Sequence, residues 1–211
     1  MVREIPVEFK WHAGMSVSQK QKSVFELHEA ACARLGIGRV LEVSTKSKEE
    51  IGRALSAFNL QTRTPDGHLT PVEVVYQASK TFELGGPYLD LLAGDSYAAK
   101  TDERLKNSGA LVSFSHRGEI WPLEPSTAFY DWLYICALAE NESLALAVVE
   151  WEAFTDIEFN PEKSLNCQAR SIALYCSMMN SGSLAASISS PKAFRALLSG
   201  KVYEASQSTF L

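Results

Sequence analysis

The 211-residue chain contains no run of about 18 apolar residues, the length that a membrane-crossing helix needs. Its first residues, MVREIPVEFKWHAG, lack the apolar stretch of a secretory signal, which predicts a cytoplasmic protein. Positive charge is in deficit. Lys plus Arg is 20 and Asp plus Glu is 25, a net charge of −5, the wrong sign for a protein that coats nucleic acid. Brief contact through a local basic patch is still allowed. Cysteine and histidine are scarce, four of each. Cys32, Cys136, Cys167 and Cys176 form no C-x-x-C pair, and His12, His28, His68 and His116 form no H-x-x-x-H. The cysteines read as packed, reduced thiols. With no metal-ligand spacing, the chain is expected to use neither a metal nor another cofactor. No glycine-rich phosphate loop, internal repeat or low-complexity stretch is present.

What is present suits a folded protein: 46% apolar and 21% charged residues. A chain of this length can bury about 70% of its unfolded surface without a disulfide or metal staple. The pattern predicts one α+β domain, predominantly helical, with a small antiparallel sheet. Residues 1–37 form an amino-terminal strand-and-helix elaboration and 38–211 the core. IPVEFKW alternates as a strand. SVSQKQKSVFELHEAACARLGIG is a helix capped by Ser16 or Ser18 and stopped by Gly36. RVLEVST is a buried strand, and Ser47 with Glu50 is a capping box for a short helix. LQTRTPDGHLT is a hairpin. Thr70 and Pro71 open a helix expected to reach about Leu84. ALVSFSHRGEIWPL turns at His116–Gly118, and Ser126, Ser164 and Ser190 are expected to open later helices.

Three segments have the residue types for chemistry. In PVEVVYQASKTF, Glu73, Gln77 and Lys80 fall at i, i+4 and i+7, one stripe over about 10 Å of helix axis. Their neighbours are apolar, so a carboxylate, an amide and an amine share a face that tends to be buried. Such groups are costly unless paired or functional. Alone, Glu73 reads equally as a capping partner of Thr70, and Lys80 as a solvated lysine. TDIEFNPEKSLN brings Asp156 and Glu158 to one side of an extended piece, with Asn160 and Asn166 nearby. By itself it also reads as a solvated acidic turn. STKSKEEIGRALSAFNL places Ser44 and Lys46 between a strand and a helix, a setting that suits phosphate or sugar hydroxyls but equally a plain capped connection. Trp121 is a core ring by default. Asp131, amid apolar neighbours in FYDWLY, should be paired or at the wall of a site.

The same residues resemble the NADAR family. Its signature is a Glu, an aromatic, Gln-Ala, and a Lys seven after the Glu, here Glu73, Tyr76, Gln77, Ala78 and Lys80. Upstream lie LEVSTKS and Leu55-Ser56-Ala57-Phe58-Asn59, and downstream Trp121, FYDWLY and FTDIEFNP. The longer phrases SQKQKS, YQASKTFELGGPY, KTDERLKNSG and WPLEPSTAFYDWLY are similar to the branch paired with DarT toxins. That likeness covers nearly the whole chain. One departure is that Ala57 stands where most members carry Asn, with Asn59 two positions later.

The resemblance implies an antitoxin that hydrolyses the N-glycosidic bond joining ADP-ribose to the guanine amino group of DNA, and so undoes the work of a DarT-type ADP-ribosyltransferase. Its partners would be ADP-ribosylated guanine and the toxin. Alternative readings are an N-glycosidase of small nucleotide metabolites, such as riboflavin-pathway intermediates, or an antitoxin that only binds its toxin. Under the first reading Glu73, Lys80, Asp156 and Glu158 are the catalytic candidates. Ser44, Lys46, Ser56, Phe58, Asn59, Tyr76, Gln77, Trp121, Asp131 and Asn160 are substrate-binding candidates. Lys46 with Ser44 would take the diphosphate, and Tyr76 or Phe58 would stack on adenine.

Overall fold

A computed structural model describes residues 2–160, 162 and 164–207, with 200–207 described by backbone alone. Residues 5–10 alternate between half-buried and exposed, but residues 5–11 join no strand, so the expected amino-terminal strand is absent. The alternation records which side lies on the protein, not a ladder. Helix α1 (Val17–Leu35) has the expected ends: Ser16 Oγ accepts the Gln19 N–H, and Gly36 closes it at φ 66°. Strand β1 (Val40–Glu42) is wholly buried. Helix α2 (Glu50–Ala54) lacks the expected capping box. Ser47 Oγ instead accepts the Glu49 N–H at 3.2 Å and sits under Gly52, where an added Cβ would lie 2.3 Å from that oxygen.

Strands β2 (Gln61–Arg63) and β3 (Leu69–Pro71) make the expected hairpin. Helix α3 (Val72–Ala78) follows at once. Carbonyls of the preceding turn take its first amides, Val72 N–H to Leu60 O and Glu73 N–H to Ala57 O, each 2.9 Å. Thr70 gives no side-chain cap. The helix ends at Ala78 rather than near Leu84, because strand β4 (Lys80–Phe82) leaves to join a sheet. A 3₁₀ turn (Leu89–Ala93) and helices α4 (Ser96–Thr101) and α5 (Arg104–Asn107) lead to β5 (Leu111–His116) and β6 (Glu119–Pro122). The order β4-β5-β6 is an antiparallel meander with Lys80 opposite Phe114. Its tight turn has successive positive φ at Arg117 and Gly118, the geometry that matches strand twist.

Helix α6 (Ala128–Glu140) is buried along most of its length and is the hub of the core. Phe129, Leu133, Tyr134, Ile135 and Leu138 join Leu41, Leu55, Val75, Trp121, Ile172 and Phe194. A helix apolar on all sides belongs at the centre. Helix α7 (Glu142–Val148) follows, and β7 (Ala153–Thr155) runs parallel to β1, with Glu42 opposite Thr155. Helices α8 (Gln168–Asn180), α9 (Leu184–Ile188) and α10 (Pro191–Gln207) complete the chain. Ser126 lies two residues before α6 and Ser164 four before α8, and neither caps its helix; Thr127 and Cys167 hold those positions without side-chain caps. Among the described residues no helix is long and apolar enough to cross a membrane. The α+β expectation holds, with one pair parallel rather than antiparallel.

Candidate functional site

Every residue of α3 is buried, so Glu73 and Gln77 are held in the protein rather than on its surface. Gln77 Nε2 donates to Glu73 Oε1 at 2.9 Å, the i, i+4 contact of one helix face. Lys80 is not on that helix, yet it returns to the same place. The bend at Ser79, whose Oγ donates back to Val75 O at 2.7 Å, carries the chain into β4. Lys80 Nζ then lies 4.9 Å over the Tyr76 ring. Burial pushes the Lys80 ammonium below its usual range; Glu73 opposes this and Lys100 adds to it. Lys100 of α4 is a member of the cluster that the sequence did not reveal. Its Nζ is 4.0 Å from Glu73 Oε1 and 4.9 Å from the Phe58 ring centroid.

A second cluster forms around the turn after β7. Asp156 has its carboxyl pushed up to about 7, first by burial and then by Glu42 and Glu158. Glu158 binds two lysines, Lys20 at 3.4 Å and Lys46 at 3.6 Å. The two clusters share one frame. Ala57 accepts from Glu73 N–H through its carbonyl, while its own N–H donates to Gln168 Oε1 at 2.8 Å. Gln168 in turn hydrogen-bonds Asp156. Between them stands Tyr130, edge-on to Tyr76 at 5.2 Å. Burial holds its hydroxyl far above the usual range, with Glu73 and Asp156 both adding to the effect.

Other candidates have different places. Tyr76 is packed on Phe114, Phe129 and Tyr130, and its hydroxyl receives Asn166 Nδ2 at 2.6 Å. It is the floor under Lys80, whereas the Phe58 ring is half-buried. Trp121 is fully buried in the core. Asp131, 1% exposed, is bound by Arg170 Nη1 and Ser171 Oγ, the latter at 2.7 Å, and is a structural anchor. Asn59 ties back to Arg53 O at 2.8 Å. Asn160 accepts from Glu162 N–H at 2.9 Å. Ser44 and Ser56 are buried and accept the Lys46 and Phe58 amides. Lys46 remains half-buried beside Glu158.

Asp131→Ala should therefore act on stability. It removes the buried acceptor of both groups, leaving Arg170 to Glu4 and Thr127 Oγ1 and Ser171 to Cys167 O, a loss of about 1–3 kcal/mol. A urea unfolding curve would register this as a lower midpoint with unchanged slope.

A surface recess of about 550 Å³ lies elsewhere, lined by Arg63, Thr64, Pro65, Arg117 and Glu140. It shares no residue with either cluster. Its guanidiniums are already engaged, Arg63 by Gly67 O and Arg117 by Arg63 O.

A desolvated amine beside a buried carboxylate, with a second acid near neutrality, has the groups that proton transfer and attack on an electrophilic carbon require. The model of the DarT1-associated NADAR antitoxins matches residues 1–208, and the chain belongs to that family. No curated protein matches it.

Proposed function

We propose that the protein is an N-glycosidase that hydrolyses ADP-ribose from the guanine amino group of DNA, reversing the action of a DarT1 toxin. The observation that carries the reading is the Glu73–Lys80 pair, a buried acid and an amine of depressed pKa at the positions of the family signature. In hydrolysis the ribose C1–N bond breaks and water supplies hydroxyl to C1 and a proton to the amine. As positive charge grows on the sugar, Glu73 gives its proton to the departing guanine amino group. The Lys80 amine attacks C1 as the guanine leaves and passes a proton to Glu73; the bond from C1 to the ring oxygen then breaks, that oxygen takes the proton, and C1 is held as an imine on Lys80. Water then adds back across the imine, freeing the amine and ADP-ribose, with Glu73 as base. Asp156 faces the cationic sugar. Lys46 and Lys20 take phosphate oxygens, Phe58 takes the adenine face, and Lys100 leaves Glu73 to meet the DNA backbone.

The decisive experiment incubates the protein with an oligonucleotide bearing one ADP-ribosyl-guanine, with and without EDTA. Release of ADP-ribose and restored guanine in both arms supports the reading. Intact adduct, with cleavage of riboflavin-pathway N-glycosides instead, moves the substrate to small metabolites. No turnover of either, with tight binding to the toxin, leaves a binding antitoxin.

A further inference from the structure

We propose that Glu42 is a positioning residue that holds Asp156 in place by gripping the residues on either side of it; this rests on the reading of Asp156 as part of the hydrolytic site. Glu42 ends β1 and is 2% exposed. Thr155 Oγ1, one residue before Asp156, donates to Glu42 Oε2 at 2.7 Å. Ile157 N–H, one residue after, donates to Glu42 Oε1 at 2.9 Å. The two oxygens of one carboxylate thus hold the residue before the acid by its side chain and the residue after it by its backbone. The ladder adds a third tie, Val43 N–H to Thr155 O at 2.8 Å. Leu41 and Val43, the neighbours of Glu42, are fully buried aliphatics. A third aliphatic would satisfy the strand pair at less desolvation cost, so the carboxylate is retained for what it holds.

The clamp extends to the amino-terminal helix. His28 Nε2 of α1 is 2.9 Å from Thr155 Oγ1. Burial pushes the imidazole down to about 4, so the ring is neutral at neutral pH. Because the Thr155 hydroxyl gives its hydrogen to Glu42, it can only accept from His28, which assigns the proton to Nε2. The chain His28, Thr155, Glu42 therefore runs in one hydrogen-bond direction into the turn. Asp156 itself is faced by Glu42 from β1, Glu158 from its own turn, Tyr130 and Tyr134 from α6, and Cys167 and Gln168 at the start of α8. Of these charges, Glu42 disfavours ionised Asp156 most. Removing its charge therefore shifts the Asp156 titration to lower pH.

The test compares Glu42→Ala, Glu42→Gln and Thr155→Val with the parent and with Asp156→Asn. ADP-ribose release from the modified oligonucleotide is measured against pH, and the Asp156 carboxyl is titrated by ¹³C NMR in the parent and Glu42→Gln. Expected are a fall in kcat of about tenfold for Thr155→Val and about a hundredfold for Glu42→Ala, the scale of a misplaced reacting group, with KM little changed. Glu42→Gln, which keeps one acceptor, recovers part of the rate and moves the Asp156 midpoint to lower pH. Should Glu42→Ala fail to fold by circular dichroism, the other two variants decide. Parental kcat in folded Thr155→Val and Glu42→Gln, with an unmoved Asp156 titration, overturns the proposal. A fully active Asp156→Asn removes Asp156 from the site and the Glu42 proposal with it. A parent that releases no ADP-ribose overturns the hydrolase reading alone, since the titration still decides whether Glu42 governs Asp156.

Discussion

Glu73→Gln should leave the fold intact and lower ADP-ribose release by about 10²–10⁴-fold, the range that general acid–base catalysis contributes. The structure separates the two roles of this residue. Its place in the fold depends on its backbone amide, bonded to Ala57 O, and on one side-chain acceptor for Gln77 Nε2. A glutamine oxygen supplies that acceptor equally well. The remaining contact is to the half-exposed Lys100 at 4.0 Å, the outer limit of an ion pair, and a lysine that reaches water from there loses little when the charge goes. What glutamine cannot do is give and recover a proton. Rates from product separation, set beside urea midpoints, test both halves together. A Gln variant working at the parental rate would reduce Glu73 to a packing partner of α3 and shift the proton transfer to Asp156.

Lys80→Arg should be nearly as damaging, and it tests the mechanism as well as the place. Arginine keeps the charge, can stay over the Tyr76 ring and can bind phosphate, so neither fold nor ground-state binding should suffer. It stays protonated at any working pH and forms no imine. The lysine is suited to the opposite behaviour, because burial and Lys100 both favour its neutral amine. Turnover by the parent should thus rise with pH as the Lys80 amine loses its proton. Borohydride added during turnover should trap ADP-ribose on the parent and not on Lys80→Ala. If arginine restores most of the rate and no adduct is trapped, Lys80 is an electrostatic binder and Glu73 with water carries the hydrolysis.

Local chemistry was legible where a short segment determines its own structure. The two hairpins and both ends of α1 follow from turn residues and caps. The Glu73–Gln77 contact follows from helical spacing. Lys80 shows where that logic stops. Counting seven residues along a helix put it beside Glu73, and it is there, but by a bend into a strand that pairs with β5. Periodicity cannot see a partner strand some thirty residues ahead. Lys100, Glu42 and Gln168 went unrecognised for the same reason, since each reaches the site through space with no spacing rule relating it to Glu73 or Asp156. Asp131 shows the converse. Its place among apolar neighbours demanded a partner, and the partner, Arg170, is structural.

The parallel pair of β1 and β7 has a consequence in time. Glu42 and Thr155 are 113 positions apart, and a loop of that length must close before either carries its share of the ladder. Distant pairings of this kind are slow to form and late in folding. The Glu73 side is built from segments closer together, so it can take shape while the chain is still emerging from the ribosome. The acidic turn cannot, for its anchor strand is made long before the strand that docks on it. Under the proposed function, the acidic half of the site is therefore expected to be completed only after β7 has been made and docked on β1.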